Sequence, residues 1–194
     1  MPLDVQTQEL LKQMAKQNDP SPHTMTPPDC RQFLRTSAMS SAEGEPIAHV
    51  EDRKISGPAG SIPIRIYTPE GSGPFPVLVY FHGGGWVIGD LDSHDALCRS
   101  LANGTGCITV AVDYCLAPEH KFPAATEDCY TATKWIAENA SHFNGNSSRI
   151  AIGGDSAGGN LAAVVTHMIR DRGGPPLVFQ FIQPCAKASA DSSR

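Results

Sequence analysis

Two textures of apolar pattern run along the chain and change over near residue 46. In the first part Leu3, Leu10, Leu11 and Met14 recur at helical spacing behind Asp4, a residue suited to capping, which predicts an amphipathic helix over 4–17. A looser stretch of Pro, Ser and Thr follows from Asp19 to Pro28, and a second short helix is expected over 29–39. Then His49–Ser56 and Ser61–Thr68 alternate apolar with polar residues around a Gly-Pro turn, the pattern of an antiparallel strand pair. From Val77 the runs VLVYF, CITVAVDY, RIAIGG and LVFQFI are short, almost continuously apolar and rich in β-branched residues. Helical stretches near 93–103 and 123–140 separate the first three, and another follows at 157–171. Buried strands alternating with helices predict an α/β protein whose mostly parallel sheet is covered on both faces. No internal repeat is visible, and the last nine residues, AKASADSSR, carry no periodic apolar face and are expected to form a disordered tail over 186–194.

Composition narrows this picture modestly. The 194 residues suit one domain with a real core. Fifteen Lys and Arg against 20 Asp and Glu give a formal charge of −5, no footing for nucleic acid or anionic lipid. No apolar run approaches the ~20 residues of a membrane span. The N-terminus is polar and interrupted by charge, unlike a secretory signal, and the six cysteines include no C-x-x-C pair, so a cytoplasmic protein with reduced thiols is expected.

Ligands of such a sheet bind beyond the carboxyl ends of its strands, and two segments put unusual residues there. His82-Gly83-Gly84-Gly85-Trp86 follows VLVYF, and Gly154-Asp155-Ser156-Ala157-Gly158 lies between RIAIG and a helix. A serine on a sharp strand-to-helix turn holds its hydroxyl outward in a strained backbone, and the flanking Gly154 and Gly158 let strand and helix approach where a Cβ would not fit. The Ala157 amide sits at a helix N-terminus, which favours developing negative charge. Gly-x-Ser-x-Gly alone is common by chance, whereas His-Gly-Gly-Gly is not. Its bare backbone lets Gly83 and Gly84 donate to an oxyanion. Phosphate-binding patterns do not fit: there is no G-x-G-x-x-G, and no Lys-Ser/Thr follows Gly158.

On these stretches, YFHGGGWVIGD (80–90), DYCLAPEHKFPAATED (113–128) and IGGDSAGGNLA (152–162), with RIYTPEG (65–71) beside them, the sequence resembles the hormone-sensitive-lipase family of carboxylesterases. The resemblance runs to about Pro184. It implies an incomplete α/β-hydrolase fold, with residues 1–45 as cap helices and 46–185 as core. It implies Ser156 as nucleophile, Gly83, Gly84 and Ala157 as oxyanion donors, and His82, Gly85, Gly154, Asp155 and Gly158 as supports. The reaction implied is hydrolysis of small-molecule esters with short to medium acyl chains, through an acyl-serine and without metal or cofactor. Cys115 departs from the family, which usually carries Arg there, a change expected to loosen a structural contact.

A serine nucleophile needs a base and an acid to orient it, in the chain order Ser, acid, His for this fold. After Ser156 the one histidine is His167, eleven residues along the same helix and about 16 Å away at ~1.5 Å per residue. The acids left are Asp171 and Asp191. Triad acid and base therefore stay unassigned. Upstream, His82 is expected to shape the glycine loop, His120 to support its own loop, His94 to cap a helix or face solvent, and His23, His49 and His142 to lie on the surface. The expectation is a truncated or frame-shifted esterase, with little activity of its own and an unpaired strand near 177–183 that invites self-association. The alternatives are a non-catalytic, receptor-like ligand-binding protein on the same fold and a non-functional product.

Overall fold

The computed structural model describes residues 3–17, 24–41 and 44–183. Two helices come first, α1 (Val5–Gln17) and α2 (Pro27–Ser41). Asp4 caps α1 as expected, its Oδ1 accepting the Thr7 amide at 2.9 Å. Leu3, Val5 and Leu11 are nevertheless exposed, so the described part of that apolar stripe is not buried.

The hairpin is β1 (His49–Gly57) and β2 (Gly60–Thr68), in register from His49 opposite Thr68 to Gly57 opposite Gly60. The alternating units follow: β3 (Phe75–Phe81), α3 (Asp95–Thr105), β4 (Ile108–Val112), α4 (Ala124–Asn139), β5 (Gly145–Asp155), α5 (Ala157–Arg172) and β6 (Phe179–Gln183). The sheet order is β1-β2-β4-β3-β5-β6. Strands β3 to β6 run parallel, and β2 meets β4 antiparallel. The glycine loop leaves β3 and the Gly-x-Ser-x-Gly turn leaves β5, and these strands are hydrogen-bonded neighbours, so both segments emerge at one end of the sheet.

Pleating sorts the side chains into two layers. Ile64 and Ile66, Val77, Val79 and Phe81, Ile108, Val110 and Val112, and Ile150 and Ile152 point to one face, where Ile136 of α4 and Leu161 and Val165 of α5 complete a large core. Tyr67, Tyr80 and Ala111 point to the other face, beneath Cys98 and Ala102 of α3. Helices thus lie on both faces as expected, α4 and α5 on one and α3 on the other, with the second cover shorter. Among the described residues α3 lies over β2 and β4, while Leu78, Ala151, Phe179 and Phe181 border an open apolar groove of about 400 Å³. Val178 and Phe179 are 60% and 64% exposed. Apolar runs of equal continuity thus serve strands with one and with two covered faces. The expected tail, 186–194, lies outside the described residues.

Candidate active site

The turn between β5 and α5 is built by steric exclusion. A Cβ on Gly158 would stand 1.9 Å from the Phe81 carbonyl oxygen, and one on Gly154 would stand 2.4 Å from that same atom. Helix α5 can therefore start directly against the end of β3. Between the two glycines Ser156 takes φ 50°, ψ −115°, a strained conformation for a residue with a side chain. Its amide donates to the Gln183 carbonyl of β6 at 2.9 Å, and its carbonyl accepts the Asn160 amide at 3.1 Å. The Ala157 amide opens the sixteen-residue α5, where backbone donors and the helix dipole face outward.

Asp155 joins this turn to the glycine loop. Its Oδ1 accepts the Tyr80 hydroxyl at 2.6 Å and the Gly83 amide at 2.9 Å. The expectation that Gly83 donates to an oxyanion is thereby corrected, because its N–H is committed to a carboxylate of the protein. The amides of Gly84 and Gly85 donate to no acceptor among the described residues. Their directions are fixed from behind, since C=O and the following N–H point opposite ways across a trans peptide. The Gly83 carbonyl is held at 2.7 Å by His82 Nδ1, and the Gly84 carbonyl accepts the Val87 and Ile88 amides at 3.1 and 3.0 Å. Gly84 itself sits at φ 121°, and a Cβ there would meet the Ile88 oxygen at 2.1 Å, so no other residue fits.

His82 is 3% exposed and stacks on Tyr114, with ring centroids 4.3 Å apart. Tyr114 gives its hydroxyl hydrogen to the His82 carbonyl at 2.7 Å, so Nδ1 carries the proton that reaches Gly83. Burial drops the ring pKa to about 4, which keeps it neutral at pH 7. Its place is that of a loop support. His94 corrects the expectation of a solvent-facing residue. It stands at the N-cap of α3 without a capping bond, its side chain is 16% exposed, and its Nε2 lies 3.8 Å from Asp155 Oδ1. The short 90–94 turn folds it inward, with Ser93 Oγ 3.0 Å from its Nδ1.

No side chain among the described residues hydrogen-bonds Ser156 Oγ. His167 is exposed on α5, and Asp171 is paired with Arg170 at 2.7 Å. His49, His120 and His142 are exposed, while His23 and Asp191 lie outside the described residues. At Cys115 the backbone amide donates to the buried Asp128 carboxylate at 3.0 Å, and burial beside that carboxylate pushes the thiol up to about 12. No disulfide joins the described cysteines, no group of three or more potential ligands that could hold a metal occurs among the described residues, and no described helix is long and apolar enough to cross a membrane.

Beside the turn opens an apolar cavity of about 380 Å³. Gly85 and Trp86 form one wall, Cys115, Ala117 and Phe122 another, and Asn160 and Val164 of α5 the floor. Asn160 lies one helical turn beyond Ser156, so an apolar chain attached at the serine has this space within reach.

The model of the alpha/beta hydrolase fold family matches residues 78–194, which takes in both glycine segments and every parallel strand apart from the first residues of β3. The chain belongs to this family. Among its relatives, esterase LipI of Mycobacterium tuberculosis is 52% identical over 140 residues, covering 71% of the chain and 44% of the relative. Carboxylic ester hydrolase LipN of the same organism is 50% identical over 152 residues, 75% of the chain and 40% of the relative. A hyperthermophilic esterase from the archaeon Pyrobaculum calidifontis superposes with a TM-score of 0.84 at 45% identity, over 93% of the chain and 58% of that structure. This α/β-hydrolase chain thus spans less than half the length of the two curated relatives. The fold expected from sequence, a mostly parallel α/β-hydrolase sheet, is the one observed.

Proposed function

We propose that the chain carries the nucleophile and oxyanion-binding half of a serine carboxylic-ester hydrolase. The observation that carries the reading is Ser156, strained at φ 50° on a strand-helix turn and locked through Asp155 to a loop with two uncommitted amides. In this reading Ser156 Oγ attacks the ester carbonyl carbon and its proton passes to a general base. The carbonyl oxygen becomes an oxyanion facing the amides of Gly84, Gly85 and Ala157. The alcohol leaves with a proton, and water then releases the acid from Ser156. The apolar cavity supports short to medium acyl chains. The free thiols of Cys98 and Cys129, both buried, fit a cytoplasmic setting.

With no base bonded to Ser156 Oγ among the described residues, turnover by these residues alone is expected to rest on oxyanion stabilisation, about 10³–10⁴ over water. That same observation favours a second reading, a ligand-binding protein without catalysis. Exposure to a fluorophosphonate probe, with a nitrophenyl-butyrate assay, separates the two. Labelling confined to Ser156, and lost in Ser156→Ala, is the expected outcome. Saturable binding of an apolar ester with neither labelling nor turnover would overturn the hydrolase reading in favour of the receptor.

A further inference from the structure

Helix α2 reaches the loops of the candidate site through Arg31, which makes four hydrogen bonds. Arg31 Nε donates to the Val87 carbonyl at 2.7 Å, and Nη2 donates to the Ala117 carbonyl at 2.9 Å. Nη1 and Nη2 also grip both oxygens of Glu119, at 2.9 and 2.7 Å. A planar fork of this kind fixes direction as well as distance, which an ammonium does not. The Arg31 side chain is 22% exposed, and its guanidinium spans the loops after β3 and β4. Val87 belongs to the loop after β3, while Ala117 and Glu119 belong to the loop after β4. Both loops line the apolar cavity, the first through Gly85 and Trp86 and the second through Cys115, Ala117 and Phe122. One backbone bond crosses between them, from the Ala117 amide to the Trp86 carbonyl at 2.8 Å.

From Val87 the connection continues inward. Its amide donates to the Gly84 carbonyl, and the direction of that carbonyl sets the direction of the Gly85 N–H. A side chain on α2 therefore sits two hydrogen bonds from the Gly84–Gly85 peptide of the candidate site.

We propose that Arg31 is a positioning residue, which aims the Gly84–Gly85 peptide and sets the width of the apolar cavity from outside both. The inference rests on the ester-hydrolase reading for its purpose, though not for its geometry. Arg35, bonded to Asp90 at the end of the same loop, anchors α2 with no hydrogen bond to the loop after β4 among the described residues, and so serves as the internal comparison.

The test is amide hydrogen exchange on the full chain, comparing wild type with Arg31→Met, Arg31→Lys and Arg35→Met. Losing charge-assisted bonds to two loops is expected to raise exchange of the bonded amides of Val87 and Ile88 about tenfold in Arg31→Met. Arg31→Lys should give a partial effect, since an ammonium cannot bridge both loops. In both, amides in the middle of β3, β4 and β5 should be unchanged, and Arg35→Met should leave Val87 and Ile88 unaltered. Unchanged exchange at Val87 and Ile88 in Arg31→Met, with α2 alone opening, would reduce Arg31 to a docking contact and overturn the proposal. Should Arg31→Met fail to fold, the exposed Glu119→Ala is expected to raise exchange at Val87 and Ile88 about threefold, and no rise there would overturn it equally. A second arm measures the phosphonate labelling rate of Ser156, expected to fall about tenfold in Arg31→Met. If wild type does not label, the hydrolase reading fails, while the exchange arm still decides the role of Arg31.

Discussion

Asp155 is the residue on which turn and loop depend together, and its contribution can be worked out from its partners. Asp155→Ala deprives the Tyr80 hydroxyl, in a side chain 1% exposed, and the Gly83 amide of the one oxygen that both use. At about 1–3 kcal/mol for each buried group left unsatisfied, the loss is about 2–6 kcal/mol. With a urea m-value of about 2 kcal/mol/M this lowers the midpoint by about 1–3 M. Asp155→Asn keeps an acceptor oxygen in place and should cost less than about 1 kcal/mol. Tyr80→Phe supplies the third corner of the comparison: its cost should shrink in the Asp155→Ala background, with a coupling of about 1 kcal/mol or more. Urea unfolding followed by far-UV circular dichroism measures wild type, the three single variants and the double variant. Equal destabilisation by Ala and Asn at 155, or additivity of the Tyr80 and Asp155 changes, would refute the account of Asp155 as a shared acceptor.

Four further outcomes follow from the same geometry. Gly158→Ala pushes a methyl into the Phe81 carbonyl and should destabilise by at least about 1–3 kcal/mol, read as a lowered thermal midpoint. Burial, with Asp90 nearby, raises the Asp113 carboxyl to about 6, so its ionisation costs stability as pH rises from about 4 through 6; Asp113→Asn should gain up to about 3 kcal/mol at pH 7 and nothing below pH 4. Arg31 holds Glu119 down at about 2, so the stabilisation from that pair is complete above its ordinary pKa and lost as pH falls toward 2; Glu119→Gln should flatten this acid limb in the exchange of the Val87 and Ile88 amides. The edge of β6, unpaired among the described residues, and the groove beside it are expected to favour self-association, and Phe179→Lys should then shift the sedimentation profile toward monomer.

Local pattern carried much of this molecule. The β-branched runs at 77–81, 108–112 and 149–154 have no other good solution than buried parallel strands, and the two glycine segments fall at their carboxyl ends because strand-to-helix turns there require residues without a Cβ. What was illegible is long-range partnership. Gly83 looks as free as Gly84 in a row of identical residues, and only the carboxylate 72 positions later separates them. Arg31 reads as an ordinary surface charge on a short helix, since its partners lie 56 to 88 positions away. His94 looked solvated because nothing local shows that the 90–94 turn folds its ring against Asp155. The half-bare second face was hidden for a different reason: a strand's sequence records how apolar it is, not whether a helix covers it.

The amide of Ser156 hangs on the carbonyl of Gln183, the last residue of the outermost described strand. Peripheral strands open more often than central ones, so the hydroxyl's aim depends on the least protected part of the sheet. Whatever docks against β6 and damps that fraying would sharpen the reactive turn from a distance, without ever touching an ester.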